Sequence, residues 1–328
     1  MISLKGKRVL ITGGLGFIGS NLAHRCLDLG AEVTIYDCLD PKSGGNLYNI
    51  HDIRDSVHKI LDDIRHFEPL CAAILHKDIL FNCAAFTSHP NSMKEPLIDI
   101  DVNCKGVINI LEAARRFNRD VKIVHVGTST QIGRMIRKPI DETHPEFPAD
   151  IYSANKTASE KYVLIYGGAY KLRTTVLRLA NVYGPRSNIR SADFGFMNYF
   201  IGLALQDRDI SVFGRGEQLR NISFVDDAVD ALIRAAGSEK SDGRVFFAGA
   251  DRQYNVADIA KAIVKYIGSG SIRRVAWPRD REAIEIGDVV IRNALIKRIL
   301  GWKPRVDLKT GLLRTRDYYR PRLRQYLD

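Results

Sequence analysis

Tyr152 and Lys156 in "IYSANKTASEKY", and the hydroxyl run Thr128, Ser129 and Thr130 in "HVGTSTQIGR", are the residues best suited to chemistry. The tyrosine and lysine stand at i and i+4, so a helix places them on one face. An ammonium beside a phenol favours the phenolate and lowers its pKa, which makes a tyrosine usable as a proton acceptor. Alcohols closing a strand can hydrogen-bond the oxygen from which that proton leaves. A YxxxK pair alone is commonly a surface pair, and its specificity here comes from what lies upstream.

"RVLITGGLGFIGSNL" sets Gly13, Gly16 and Gly19 at GxxGxxG spacing between an apolar strand and a helix. Such glycines let the backbone turn tightly and approach a pyrophosphate, while the helix start offers free N–H groups and partial positive charge. The helix-opening residues Phe17 and Ile18 belong to the same loop. Asp37 closes the next strand, "EVTIYD". A carboxylate there accepts from both ribose hydroxyls of an adenosine and repels a 2′-phosphate, which points to NAD rather than NADP. Asp63 and Ile64 in "ILDDIRH", at the end of another strand, are placed to meet the adenine. Ala84 and Ala85 in "NCAAFT" are small enough for a cofactor to lie against their backbone.

The elements that must position these groups read as alternating strands and amphipathic helices: "RVLIT", "FIGSNLAHRCLDL", "EVTIY", "DILFNCAA", "GVINILEAARRF" and "KIVHVG". This alternation predicts an α/β chain with a Rossmann-type doubly wound parallel sheet buried on both faces. We expect residues 1–178 to form the NAD-binding part with the catalytic residues. Residues 179–328 are expected to form a smaller α/β substrate-binding region, with a soft boundary across which the chain can return to the main sheet.

The 328 residues are 45% hydrophobic and 27% charged, the proportions of a soluble globular protein. No basic n-region with an apolar h-region opens the chain and no apolar run has membrane length, so the expected location is cytoplasmic, with no membrane partner. Five cysteines without CxxC pairs, and eight histidines without HExxH spacing, predict neither a disulfide framework nor a metal site. The net charge of +11 calls for an anionic partner or a solvated basic face. The arginines of "LLRTRDYYRPRLRQYLD" read as a solvated terminal helix and extension, and with no RNA-binding or helix-turn-helix signature a nucleic-acid partner is not expected.

Taken in order, "TGGLGFIGSNL", "VNCKGVINILEAAR", "VGTSTQIG", "YSANK", "LRLANVYGPR", "VFGRGEQLRNISFVDDA" and "LGWKP" resemble the extended short-chain dehydrogenase/reductase family, and within it the NAD-dependent nucleotide-sugar epimerases and dehydratases. The resemblance implies Thr128 as the active-site alcohol that hydrogen-bonds the sugar oxygen, Tyr152 as general base, and Lys156 as its partner on the nicotinamide ribose. It implies a supporting role for Asn103 beside the cofactor, and a nucleotide-sugar diphosphate (UDP-, GDP-, CDP- or dTDP-linked) facing Asn181 and Arg220, with Ser129 and Thr130 toward the sugar. Arg281 in "PRDRE" reads equally as a second diphosphate arginine or a solvated loop charge. Family 4,6-dehydratases carry Asp-Glu after the Thr and the decarboxylases a Glu two residues after it. Ser129 and Thr130 fill those positions here, which favours epimerisation, with C4 as the expected carbon. Ile132, where many relatives have Tyr, is expected on the sugar-facing wall, with Gln131 and His89 as further candidates to face the substrate. Dehydratase, decarboxylase and 4-keto reductase activities are the alternatives, and a non-catalytic dinucleotide-sensing or RNA-binding protein the remote one. The family's dimers imply a homodimer built on "GVINILEAARRF" and "TASEKYVLIYGGAY".

Overall fold

The computed structural model describes residues 3–327. Its strands are β1 (Arg8–Thr12), β2 (Glu32–Asp37), β3 (Val57–Leu61), β4 (Ile79–Asn82), β5 (Lys122–Thr128), β6 (Arg173–Leu179), β7 (Asn181–Tyr183), β8 (Asp209–Phe213), β9 (Leu219–Phe224), β10 (Arg244–Ala248), β11 (Gln253–Asn255) and β12 (Ser271–Val275). Seven of them form one sheet in the order β10-β6-β5-β4-β1-β2-β3, and every pairing in it is parallel. This is the expected Rossmann-type arrangement, with strand order reversing between β1 and β4.

Continuous apolar strands suit this sheet because both of its faces are covered. Successive side chains point to opposite faces, so Val9 and Ile11 of β1 join one buried cluster and Leu10 the other. Ile35 and Phe81 go with the first cluster, Tyr36 and Leu80 with the second. The helices Phe17–Asp28 and Val225–Ala236 cover the first face, and Val107–Phe117 and Ile151–Tyr170 the second.

Past β6 the chain makes two small sheets, β11-β9-β7 and β12-β8, and it also returns to the main sheet with β10 beside β6. The β7 and β9 strands carry Asn181 and Arg220. The terminal segment is not the solvated extension its composition suggests. Tyr319 is fully buried and Tyr326 nearly so, packed with Ile189. The Tyr319 hydroxyl lies 3.2 Å from the carbonyl of Gly184 and 2.9 Å from that of Ser187, and the Tyr326 hydroxyl donates to Asn49 Oδ1 at 2.7 Å. The arginines take the outer side, as with Arg314 on Asp226 at 2.6 Å, while the tyrosines dock the tail.

Candidate active site

At the switch point, Gly13 adopts φ +67°, and a Cβ built there would lie 2.7 Å from Ala84 N, so only glycine lets β1 and β4 approach this closely. Gly16 is the N-cap of the following helix, leaving its first N–H groups directed at the cleft. A cavity of about 210 Å³ opens here, and Gly13, Gly16, Phe17, Ile18, Asp37, Asp63, Ile64, Ala84 and Ala85 all line it. Ser187 and Phe194, from beyond β7, close its far side; no local pattern marked them.

Asp37 is buried, which pushes its carboxyl pKa up, against the lowering effect of two backbone donors, Leu15 N and Leu39 N, each at 2.9 Å. Asp63 is forked by Arg65 at 3.0 and 2.7 Å. A glycine-lined backbone approach, a helix N-terminus and a strand-end carboxylate fit a dinucleotide's pyrophosphate and ribose. Asn103 does not line this cleft. It is 1% exposed, its side-chain amide clamps both backbone groups of Phe86, and it donates to Asp99 Oδ1 at 2.9 Å, so it supports the wall from behind.

Tyr152 and Lys156 lie one turn apart in the helix Ile151–Tyr170, which Asp150 caps by accepting from Ser153 N at 2.7 Å. The expected phenol–ammonium couple is not what surrounds them. Lys156 Nζ donates to Val126 O at 2.7 Å and lies 3.3 Å from His125 Nε2. Burial holds the Lys156 pKa down to about 8. The tyrosine's pKa is raised, by burial first and then by the carboxylates of Asp99 and Asp150. Asp99 is itself wholly buried, with Oδ1 taken by Asn103 and Asn155 and Oδ2 unpartnered among the described residues. It is a site neighbour that the sequence did not flag.

Thr128 ends β5 and caps the turn Ser129–Ile132. Its amide donates to Gln131 Oε1 at 2.9 Å, and Gln131 Nε2 donates to Glu160 Oε2 at 3.0 Å. Glu160 in turn is forked by Arg178 at 2.8 and 2.6 Å. Gln131 therefore faces a buried ionic network that fixes Thr128 and does not face a substrate. Ile132 also departs from expectation: it is 1% exposed and packs with Ile140, Phe247 and Ile291. A branched apolar side chain in a buried turn packs into the core. Ser129 is buried as well, whereas Thr128 and Thr130 keep partial exposure, with their hydroxyls 3.0 Å apart. Ser153 Oγ reaches Thr130 Oγ1 at 3.0 Å and Asp150 Oδ2 at 3.2 Å, and His89 Nδ1 meets the same Asp150 oxygen at 2.7 Å. The His89 ring packs edge-on against Tyr152, centroids 4.9 Å apart.

On the remaining wall, Asn181 Nδ2 donates to Asn221 O at 3.3 Å. Arg220 is engaged: its guanidinium bonds Glu285 Oε1 at 2.6 Å and Gly287 O at 2.5 Å. Arg281 is neither a loop charge nor free, since it sits in the short helix Arg279–Ala283 with Nη2 3.7 Å from Asp193 Oδ1. Glu285 also borders an open cavity of about 670 Å³ between residues 134–138 and 277–288.

Residues 9–257 match the NAD dependent epimerase/dehydratase family. The chain belongs to that family. The UDP-glucose 4-epimerase of Mycolicibacterium smegmatis is 31% identical over 328 residues, covering 95% of this chain and 98% of its own. The UDP-glucuronic acid decarboxylase 1 of Xenopus tropicalis is 30% identical over 325 residues, 97% of this chain and 73% of its own. The crystal structure of the Thermus thermophilus UDP-glucose 4-epimerase in complex with NAD superposes with a TM-score of 0.86 at 27% identity, over 96% of this chain and 99% of that one. NAD is accordingly the family member's cofactor, and the glycine cleft is where this chain has the groups to hold it. Relatives near 30% identity span epimerases and decarboxylases, so the family sets nucleotide-sugar chemistry while leaving the reaction to the site.

Proposed function

We propose that the protein is a nucleotide-sugar epimerase that oxidises a sugar hydroxyl, at C4, to a ketone and reduces it again from the opposite face. The observation that carries this reading is the company of the Thr128 hydroxyl: the side chain it meets is another alcohol, Thr130, which in turn meets Ser153. Loss of water from the keto sugar calls for a carboxylic acid and base at the positions that Ser129 and Thr130 occupy, and alcohols do not ionise in that range. Redox-neutral inversion needs only an alcohol, a proton acceptor and a hydride carrier.

In this reading Thr128 orients the reacting oxygen and Tyr152 holds its proton. Lys156 exchanges its bond to Val126 O for the nicotinamide ribose and brings its ammonium to the phenol. NAD, when bound, supplies the hydride acceptor and donor. Gly13, Gly16, Phe17 and Ile18 hold the pyrophosphate, Asp37 the adenosine ribose, and Asp63, Ile64, Ala84 and Ala85 the adenine and the cleft wall. Asn181, Arg220 and Arg281 address the substrate diphosphate, a guanidinium fork matching phosphate oxygens. Residues 1–178 then carry cofactor and catalysis, and 179–328 the substrate contacts, with β10 returned to the cofactor half. A homodimer through the helices Val107–Phe117 and Ile151–Tyr170 agrees with the exposure of Phe117, Ile165 and Tyr170 on them.

The test is incubation with UDP-, GDP-, CDP- and dTDP-linked glucose and glucuronic acid without added cofactor, read by mass spectrometry and NMR. Epimers of unchanged mass are expected. Products lighter by water or carbon dioxide, or a stoichiometric demand for reduced cofactor, would replace this reading with dehydratase, decarboxylase or reductase.

A further inference from the structure

We infer that Thr128, Thr130 and Ser153 form a reversible hydroxyl wire, anchored on Asp150 and His89, that lets Thr128 accept a hydrogen bond from the sugar alcohol and donate one to the ketone. The inference rests on the epimerase reading and goes beyond it by assigning work to Thr130, Ser153, Asp150 and His89.

The links are short and nearly equal: 3.0 Å from Thr128 Oγ1 to Thr130 Oγ1, 3.0 Å from there to Ser153 Oγ, and 3.2 Å on to Asp150 Oδ2. A hydroxyl has one donor and two acceptor lone pairs, so such a row has two self-consistent orders. In the first, Ser153 donates to Asp150 and Thr128 to Thr130, whose own proton turns toward the cleft. The proton of Thr128 is then committed inward and its free lone pair accepts from a sugar O–H. In the second, Ser153 donates to Thr130, Thr130 to Thr128, and Thr128 to whatever acceptor lies in the cleft. The ketone oxygen is such an acceptor.

Exchange between the orders needs three hydroxyl rotations. No bond to carbon forms or breaks in the wire, and no proton is gained or lost. The proton leaving the sugar goes to Tyr152 as before. Asp150 makes the second order accessible, because it keeps the backbone N–H of Ser153 on Oδ1 at 2.7 Å and the His89 ring on Oδ2 at 2.7 Å when the Ser153 hydroxyl turns away. Those donors, with the hydrogen bond from the Ser153 hydroxyl, hold the Asp150 carboxyl below its ordinary range although burial works the other way. The carboxylate is thus a steady acceptor at one end, and the substrate oxygen is the variable group at the other.

The chemistry at position 130 follows. An ionised carboxylate there accepts only, and would lock Thr128 as a donor pointing inward. A valine would leave Thr128 without a partner for its proton. Only an alcohol passes the order in both directions, which suits a reaction that runs from alcohol to ketone and back.

The test compares wild type, Thr130→Val, Thr130→Ser and Ser153→Ala as full-length protein on UDP-, GDP-, CDP- and dTDP-glucose. Turnover, KM and leakage of keto sugar, trapped as its oxime with hydroxylamine, are read together with melting curves. Thr130→Val is expected to lower kcat about ten- to hundredfold, the scale of losing a preorganised donor, with KM within about threefold and increased leakage. Thr130→Ser should restore kcat to within about threefold of wild type, since the wire needs the hydroxyl and not the methyl. Ser153→Ala, a smaller change should Thr130→Val fail to fold, should show the same pattern more weakly. Wild-type kcat and leakage in folded Thr130→Val or Ser153→Ala overturns the wire, as does Thr130→Ser being as impaired as Thr130→Val. Dehydrated product from wild type overturns the epimerase reading alone, because keto-sugar leakage still reports on the wire. No turnover of any of the four sugars by wild type overturns the epimerase reading and, with it, the wire.

Discussion

The two walls of the candidate site are built from different materials. The cofactor side is backbone: strand ends, a glycine turn and a helix N-terminus, with Asp37 held by the amides of Leu15 and Leu39. The proposed substrate side is side chain: its two arginines are each paired with an acid, Arg220 with Glu285 and Arg281 with Asp193. A backbone cleft presents its donors whatever else happens, because the main chain has nowhere to turn. A side-chain wall keeps its cations paired until a stronger anion arrives. The difference separates a wall shaped by the fold from one in which any incoming anion must compete with Glu285 and Asp193.

The sharpest cut between the walls and the chemistry is Tyr152→Phe. It should lower kcat by about a thousandfold or more, within the usual range for removing an acid–base group, while bound NAD measured after denaturation stays at the wild-type level. NAD lost along with turnover would mean that the tyrosine serves the cleft. Gly13→Val tests the backbone wall: with φ at +67° and Ala84 N 2.7 Å from the new Cβ, β1 and β4 must separate. More than about tenfold weaker NAD retention is expected, with strain of order 1–3 kcal/mol as its source. Unchanged retention would show a cleft less dependent on that approach than its geometry indicates.

Glu285→Gln probes the opposite wall. Neutralising the acid frees Arg220 for phosphate, and KM for the nucleotide sugar should fall a few-fold, the scale of a partly exposed ion pair of about 1 kcal/mol. A rise in KM would mean that Glu285 orients Arg220 instead of competing for it. Lys156 supplies a pH test. Its pKa is held down to about 8 by burial, against an ordinary value near 10.4, so between these values the unfolded chain binds more protons than the folded one. Stability contributed through this group therefore rises with pH across that window. Wild type should gain on Lys156→Met in chemical unfolding from pH 8 upward, and a constant difference would place the ammonium in a better-solvated setting. The smallest expected effect is Tyr326→Phe, which removes the hydroxyl joining the tail to Asn49, itself bonded to Leu15 O at 2.9 Å in the glycine loop. A loss of about 1 kcal/mol in chemical unfolding is expected, with NAD retention close to wild type.

How much could be read in advance follows the same division. The glycine turn, Asp37, Asp63 and Ala84 are legible because each is a local feature at the end of a strand, and a parallel sheet gathers strand ends at one edge. Tyr152 and Lys156 are legible as a pair because helical spacing is local too. The neighbours of that pair were not. Gln131 and Ile132 follow Thr128 within one short turn, yet one turns into the Glu160–Arg178 network and the other into an apolar cluster. Asp150 could have been found as the acidic residue opening the Tyr152 helix, the ordinary N-cap signature; that it also joins His89 to Ser153 could not.

By itself, the amino-acid order determined the parallel α/β sheet, the glycine cleft and the pairing of Tyr152 with Lys156 on one helix, because hydrophobic period, glycine spacing and i to i+4 placement act within a few residues. Tertiary structure alone decided which carboxylates face Tyr152, which acids hold Arg220 and Arg281, where the terminal tyrosines dock, and that three alcohols from two segments meet in a row. Each of those depends on side chains distant in sequence competing for the same partner, and that competition is settled only when burial withdraws water as the alternative.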